Sequence, residues 1–248
     1  MSKEELNVLN EKLVNHLTEK NIKNAFYYQP VNPDWYWNDH NKIKIGICNI
    51  ETYNLDGKED YKGINLLTTK RFEEISYGNK TIANSVFLNF CIKKTLRKEL
   101  KPETAQSIKE FRRLTIPKIT DIKSPESQFD NMYEAMYESI YFNFRYSVSG
   151  KRQANFPYVI GEYTRDAFFQ QHYRDYVNAS EIDILILGST YAIDLINKIY
   201  PELKGKLSYC GEPVMYNGVL FVSIPHPSRI SYEEMADCVN KITNAINR

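Results

Sequence analysis

The chain has 248 residues, of which 42% are hydrophobic and 25% are charged, a composition typical of a globular protein long enough to bury a large core. Its net charge of +1 gives no general sign of nucleic-acid binding, and no apolar run approaches the ~20 residues of a membrane span. The amino terminus is charged and lacks the apolar segment of a signal peptide. We therefore expect a cytoplasmic protein whose residues 1–248 form a single domain.

The four cysteines, Cys48, Cys91, Cys210 and Cys238, are far apart in the sequence and form no CxxC pair. This spacing argues against a zinc or iron–sulfur site, and a reducing compartment argues against disulfide bonds. We expect no metal and no cofactor. Charge is uneven along the chain, since residues 91–123 hold ten Lys and Arg against four acids. That segment is either a solvated helix face or a surface that follows phosphates.

The first half of the chain begins with a helix predicted over residues 3–24, where leucines recur at helical spacing. The aromatic loop over residues 26–37 either covers an apolar edge or offers rings for base stacking. Residues 42–53 predict a core strand that runs into a polar turn bearing Asn49 and Glu51. A long polar segment follows the turn. Two further helices are predicted over residues 81–100 and 102–114.

The second half alternates strands with helices, which is the pattern of a parallel sheet covered on both faces. Strands are predicted over residues 139–148, 182–188 and 219–224. Helices are predicted over residues 127–139, 161–179, 190–200 and 232–246. The pattern predicts an α/β three-layer sandwich with a mostly parallel, four-stranded central sheet. Residues 54–123 are interpreted as a helical and loop insertion in this single domain.

Asn143 lies in the middle of an aromatic strand, where an unpaired buried amide costs roughly 1–3 kcal/mol. It is therefore either partnered or directed at a pocket. The last strand runs directly into His226, which lies between Pro225 and Pro227. The prolines end the strand and stiffen the loop, since proline fixes φ and lacks an N–H. His226 would then lie at the carboxyl edge of the sheet, where open α/β folds bind ligands, unless it is only a structural histidine.

Taken together and in this order, the motifs resemble those of the uracil-DNA glycosylase superfamily. The resemblance covers about residues 42–246. Its segments are Gly46–Tyr53, Asn143, Gly188–Ala192 and His226–Ser228. It implies a uracil-DNA glycosylase-like fold and a monofunctional DNA glycosylase, which flips a base out of single- or double-stranded DNA and hydrolyses its N-glycosidic bond. Such an enzyme would act in base excision repair or phage defence.

The resemblance also implies a role for each matching residue. His226 would donate a hydrogen bond to the oxyanion that develops on the leaving base, and Asn49 or Glu51 would activate or orient water. Base contacts are implied for Asn143, Tyr53 and Phe142. DNA contacts are implied for Ser189, Ser228, Arg229, Ile230, Lys151 and Arg152. Among these, Ile230 stands where the family places an apolar wedge that fills the space left by the flipped nucleotide.

Two departures from the family pattern bear on the substrate and the mechanism. Residues 48–51 read Cys-Asn-Ile-Glu where relatives carry Asp-Pro or Asn-Pro, so the water-activating residue stays open between Asn49 and Glu51. Arg229 replaces a common proline. Members with altered motifs act on other bases, so the expected base is uracil or a modified pyrimidine. The alternatives are a non-catalytic DNA- or nucleotide-binding protein on the same fold and a nucleotide hydrolase, which the absence of GxGxxG and GxxxxGK[ST] disfavours.

Overall fold

The computed structural model describes residues 3–22, 26–38, 41–50, 64–65, 80–101, 104–115, 135–147 and 156–247. Its helices are α1 (Lys3–Glu19), α2 (Pro33–Tyr36), α3 (Lys80–Leu96), α4 (Ala105–Thr115), α5 (Phe156–Arg165), α6 (Ala167–Ala179), α7 (Thr190–Ile199) and α8 (Tyr232–Ile246). Its strands are β1 (Phe26–Tyr27), β2 (Ile45–Asn49), β3 (Ile64–Asn65), β4 (Ser139–Asn143), β5 (Ile184–Leu187), β6 (Val214–Tyr216) and β7 (Val219–Ser223). A short 3-10 turn spans Pro201–Leu203.

The central sheet has five strands in the order β4-β2-β5-β7-β6. The first four are parallel, and their largely apolar sequences fit strands buried on both faces. The prediction of a mostly parallel sheet is confirmed, but the predicted count of four strands is wrong. The fifth strand, β6, pairs antiparallel with β7. The turn between them consists of Asn217 and Gly218, both with positive φ (49° and 80°), as a tight hairpin requires.

Helices cover both faces of the sheet. The contacts of two adjacent residues in β4 show this. Neighbouring side chains of a strand point to opposite faces. Tyr141 accepts a hydrogen bond at its Oη from Asn89 of α3 (3.4 Å), whereas the ring of Phe142 lies 5.1 Å from that of Tyr176 in α6. Helices α3, α4 and α8 pack together on the first face, and α1, α5 and α7 contact α6 on the second. The fold is therefore an α/β sandwich of three layers.

Tyrosine fills much of the core on the α6 side of the sheet. Six tyrosines are less than 2% exposed: Tyr28, Tyr36, Tyr146, Tyr163, Tyr173 and Tyr176. Three hydroxyls donate to backbone carbonyls: that of Tyr36 to Ser180 (2.6 Å), that of Tyr163 to Phe144 (2.7 Å) and that of Tyr28 to Arg145 (3.3 Å). Tyr28 and Tyr36 come from the aromatic loop, so that loop covers the core, which was the first of the two expected roles.

The basic segment over residues 91–123 splits into buried and exposed parts among its described residues. Lys93 is only 6% exposed, and the half-buried guanidinium of Arg112 lies over the ring of Phe87 (5.2 Å). The exposed members are Arg97, Lys98, Lys101, Lys109 and Arg113. Part of the segment is thus a solvated surface, and part is built into the packing of α3 and α4. No helix in the described part of the chain has the length and apolar character needed to cross a membrane.

A buried polar network closes the amino edge of the sheet, where the parallel strands begin. The Lys93 ammonium binds Glu138 Oε2 (2.5 Å) and donates to Asn41 Oδ1 (2.8 Å), while the Asn41 amide donates to the Glu138 carbonyl (3.0 Å). The backbone N–H of Lys44 donates to Asp183 (2.7 Å), just before β2 and β5 begin. Buried charges are tolerated when they are paired in this way.

Candidate active site at the carboxyl edge of the sheet

The carboxyl ends of four parallel strands meet at one edge of the sheet and bring four predicted motifs together. Asn49 ends β2 and lies in register beside Asn143, which ends β4. Gly188 directly follows β5, and His226 follows β7 by three residues. From β2 the chain first adds β4 on one side and then β5 and β7 on the other, so the topological switch point lies between β2 and β5. Open α/β sheets bind ligands at such points.

Gly188 is the point where two of these motifs touch. A Cβ placed on Gly188 would collide with Oδ1 of Asn49 and would lie 2.9 Å from Cδ of Pro227. A glycine in this place therefore allows the end of β2 and the His-Pro-Ser loop to approach the same spot on the backbone. Sequence positions 49, 188 and 227 thus form one local cluster.

Asn49 brings an acceptor without a donor to this cluster. Its Oδ1 is buried and receives no hydrogen bond from the described residues, although its backbone carbonyl accepts from Phe144 N (3.0 Å). A buried acceptor left unsatisfied costs roughly 1–3 kcal/mol. Other buried side-chain atoms share this state, among them the hydroxyls of Tyr173 and Tyr176 in the core, so it is the position of Oδ1 beside Gly188 and Pro227 that suggests a functional role. The backbone of Asn49 is fixed because β2 pairs with β4 and β5, and Oδ1 can accept a hydrogen bond from a group outside the described residues.

His226 is held as a neutral hydrogen-bond donor. Its Nδ1 accepts the backbone N–H of Ser228 (3.3 Å) and lies 2.8 Å from the Ser228 hydroxyl. Burial, and to a lesser degree the charge of Arg229, lowers the pKa of the imidazole below its usual 6.5. A nitrogen that accepts an N–H carries no proton, so the proton of the neutral ring is on Nε2. His226 can therefore donate one hydrogen bond through Nε2 without carrying a charge.

Asn143 is partnered, which was one of the two expected possibilities. Its Nδ2 donates to the hydroxyl of Tyr28 (2.8 Å), and that hydroxyl donates to the Arg145 carbonyl (3.3 Å). The contact fixes the rotation of a half-buried amide at the edge of the sheet. Phe142 does not share this position. It is 1% exposed and packs against Tyr173 and Tyr176 of α6, so its ring would have to leave the core to contact a base.

The residues predicted to contact DNA are placed in different ways. Ser189 caps α7, since its Oγ accepts the N–H of Tyr191 (3.2 Å), as the sequence predicted for this segment. Arg229 is exposed and Ser228 is half-buried on the His226 loop. Ile230 is 8% exposed and belongs to the core, so a wedge role would require this side chain to leave its packing. Four predicted site residues lie outside the described residues, and their roles stay predictions: Glu51, Tyr53, Lys151 and Arg152.

Two features of the site were not predicted from the sequence. Asn84 of α3, 3% exposed, donates from Nδ2 to the Pro227 carbonyl (2.6 Å). On the rim, the rings of Phe156 and Tyr191 are stacked with centroids 4.4 Å apart, and Tyr191 is 51% exposed. Tyr191 follows Gly188 by three residues, which was the available signal for the second feature. Nothing local in the sequence marks Asn84.

Comparison of the chain with protein-family models found no match, and neither the curated proteins nor the solved structures gave one. Within the ranges that the structure describes, no three His, Cys, Asp or Glu side chains are grouped so that they could hold a metal ion. The arrangement of Asn49, Asn143, Gly188 and His226, together with the resemblance of the motifs, is the basis for a functional proposal.

Proposed function

We propose that the protein is a DNA glycosylase, which hydrolyses the N-glycosidic bond of a flipped uracil or modified pyrimidine and leaves an abasic site. The observation that carries the proposal is the meeting of Asn49 and Pro227 over Gly188, beside His226. The three motifs come from distant parts of the chain. Their order is that of the uracil-DNA glycosylase superfamily, and a mostly parallel sheet between helical layers is the fold which that resemblance implies.

In this reaction the oxygen of a water bonds to C1′ of the deoxyribose while the bond from C1′ to the base nitrogen breaks. The electron pair of that bond leaves with the base, and negative charge develops on the base oxygens. The Nε2–H of His226 would donate to such an oxygen, because Nδ1 already accepts the N–H of Ser228 and leaves the proton on Nε2. A donor that is already aligned and partly desolvated stabilises the developing charge without reorganising at the moment of reaction. The water loses one proton and the released base takes one up, so the reaction balances.

Asn49 fits the role of orienting the water. An amide is no base near neutral pH, but its oxygen accepts a hydrogen bond from water. The buried Oδ1, which has no donor among the described residues, is suited to that contact. Glu51, two residues further, is the alternative general base. The choice between orientation and proton abstraction decides how strongly the rate responds to Asn49→Ala.

The remaining groups at this edge fit recognition of a base and a DNA strand. The Asn143 amide, with its rotation fixed by Tyr28, belongs to a type of side chain that offers both a donor and an acceptor to a pyrimidine edge. The exposed Arg229 is suited to a phosphate. The stacked pair of Phe156 and Tyr191 offers an exposed ring on which an unpaired base can stack.

The test is excision itself. Labelled oligonucleotides carrying uracil, hypoxanthine or 5-modified cytosines are incubated with the protein, treated with alkali and examined for strand breaks. We expect breaks on at least one substrate. We expect His226→Ala to lower the rate by ~10²–10³-fold with little change in DNA affinity, because one aligned donor to the oxyanion is lost. His16→Gln is the matched control and should keep full activity. His16 lies in α1, in the helical layer that contains α6, and contacts Asp166 rather than any residue of the proposed site.

The second candidate is a non-catalytic DNA-binding protein on the same fold. It is favoured by Asn49, an amide where a carboxylate would be the stronger base. No break on any substrate, with DNA binding that weakens steeply as salt increases, would support this candidate and contradict the glycosylase. Breaks that persist unchanged in His226→Ala would contradict the assigned role of the histidine.

A further inference from the structure

One peptide unit of the His-Pro-Ser loop makes two hydrogen bonds that matter for the imidazole. Its carbonyl belongs to Pro227 and accepts from Asn84 Nδ2 (2.6 Å). Its N–H belongs to Ser228 and donates to His226 Nδ1 (3.3 Å). The peptide is planar and trans, so its carbonyl and its N–H point in opposite directions. Whatever fixes the carbonyl also aims the N–H.

Asn84 supplies the constraint that the loop itself lacks. The ring of Pro227 fixes its own φ, so this peptide unit turns through ψ of Pro227 and φ of Ser228. The hydrogen bond from Asn84 holds that rotation. Donation into a carbonyl also polarises the peptide and strengthens its N–H as a donor. Both effects favour the tautomer in which Nδ1 accepts and Nε2 carries the proton.

We propose that Asn84 is a positioning residue that sets the tautomer of His226 through the peptide joining Pro227 to Ser228. Its consequence for catalysis rests on the proposed glycosylase function, whereas its effect on the imidazole does not. Asn84 touches neither the base nor the water in this proposal. It acts from α3, a helix within the segment over residues 54–123, and so gives this segment a role at the site.

Arg112 of α4 fixes the orientation of the Asn84 amide. Its Nη1 donates to Asn84 Oδ1 (3.4 Å), so the amide must turn its NH₂ group toward Pro227. The guanidinium itself lies between the rings of Phe87 (5.2 Å) and Tyr232 (5.8 Å), the second of which begins α8 just after the loop. The His226 loop is thus held from α3 at its centre and from α4 at its end.

The tautomer can be measured directly by ¹⁵N chemical shifts of the imidazole nitrogens, with the His226 signals assigned from the spectrum of His226→Gln. In the unaltered protein at pH 8 we expect the tautomer protonated at Nε2 to dominate. In Asn84→Ala we expect a mixture of both tautomers. Excision should fall about tenfold at saturating DNA, with DNA affinity unchanged, because a hydrogen bond that aligns the donor is lost. Asn89→Ala is the matched control, since Asn89 is a buried asparagine of the same helix bonded to Ala135 and Ser139 instead.

Milder variants cover the case in which Asn84→Ala fails to fold. Asn84→Ser keeps a donor and should restore part of the Nε2 tautomer, and Arg112→Gln should release the amide and shift the mixture as Asn84→Ala does. An unchanged tautomer in Arg112→Gln and in whichever Asn84 variant folds would overturn the proposal, even if the protein excises bases. If these variants change the proportion of the two His226 tautomers but the unaltered protein excises no base, the result would support the positioning role of Asn84 and contradict the proposed glycosylase function.

Discussion

The two edges of the sheet carry similar polar side chains in opposite states of hydrogen bonding. At the amino edge, Asn41 uses both ends of its amide, accepting from Lys93 and donating to the carbonyls of Glu138 and Tyr36. At the carboxyl edge, the Oδ1 of Asn49 is buried and receives no hydrogen bond from the described residues. Both asparagines flank the same strand, β2. The Asn41 amide at one end of this strand therefore uses both its donor and its acceptor, whereas the Asn49 oxygen at the other end accepts from none of the described residues.

Under the proposed function, this difference separates Asn41, which stabilises the fold, from Asn49, which would bind the attacking water. A buried polar group with all its partners in place contributes to folding, while one without a partner costs free energy until something binds it. Active sites commonly keep such costs because activity requires them. The comparison therefore predicts that substitutions at the amino edge lower stability, and that substitutions at the carboxyl edge lower activity while leaving stability nearly unchanged.

The largest expected loss in the free energy of unfolding comes from a substitution at the amino edge. Lys93→Met removes the nearer of two cations that pair with Glu138, a carboxylate with no exposed surface, while the partly exposed Arg97 stays at 3.4 Å, so the free energy of unfolding should fall by about 3 kcal/mol. Chemical denaturation measures this loss. Lys94→Met is the matched control, because Lys94 is adjacent in sequence and pairs with the exposed Glu99, so its removal should cost about 0–1 kcal/mol. Equal losses in the two variants would contradict the view that the amino edge holds the stabilising network.

The second test compares the two asparagines directly. Asn41→Ala leaves Lys93 and two carbonyls short of a partner and should cost about 1–3 kcal/mol. Asn49→Ala removes an acceptor that is already unsatisfied, so the unfolding free energy should stay within about 0.5 kcal/mol of the unaltered protein. Excision by Asn49→Ala should nevertheless fall. A large stability loss in Asn49→Ala would show that its amide oxygen has a structural partner after all.

The smallest expected effect concerns pH at the carboxyl edge. Burial first, and then the charge of Arg229, lowers the pKa of His226 below 6.5, so the neutral ring persists into mildly acidic solution. Excision should therefore decline only below pH 6.5, as the ring takes up a proton and Nδ1 can no longer accept. Arg229→Gln removes a neighbouring charge, so the pKa should rise and the decline should begin at a higher pH. The sign for stability is the same as for activity, since the unfolded chain binds this proton first and stability rises with pH in that window.

Rates across pH at saturating DNA measure this shift. Arg165→Gln is the matched control, because Arg165 is an exposed arginine at the end of α5, and it should leave the decline where it is in the unaltered protein. A decline that moves to lower pH in Arg229→Gln would contradict the electrostatic explanation.

The parallel strands could be predicted because each is a continuous apolar run, and such runs identify strands buried on both faces. Strand β6 could not be predicted in this way, since Val214–Tyr216 is three residues long and only partly buried. The following Asn217-Gly218 pair was the signal, since that dipeptide is typical of a tight hairpin. The prediction of one helix over residues 161–179 was wrong, since α5 ends at Arg165 and Asp166 caps the separate helix α6; elsewhere boundaries shifted by a few residues, as in α3, which ends at Leu96 rather than near residue 100.

The motifs of the site could be predicted from the sequence, but the residues that hold those motifs in position could not. The polar residues at strand ends could be placed on one edge because parallel strands end together. The burial of each strand residue could not be assigned, which is why Phe142 was expected to contact a base although its side chain is 1% exposed. Asn84 and its partner Pro227 are 143 residues apart, and no local pattern connects a helix residue to a loop so distant. Long-range contacts of this kind are visible only once the chain is folded.

The hairpin of β6 also affects how the protein behaves at high concentration. A sheet that ended on a long, flat strand would present a row of unpaired N–H and carbonyl groups, on which a strand from another copy could add. Here that side of the sheet ends on three residues turned back by Asn217 and Gly218. So few backbone groups make a poor template for intermolecular pairing. The same short turn that adds a fifth strand thus protects this edge of the sheet against strand-to-strand aggregation.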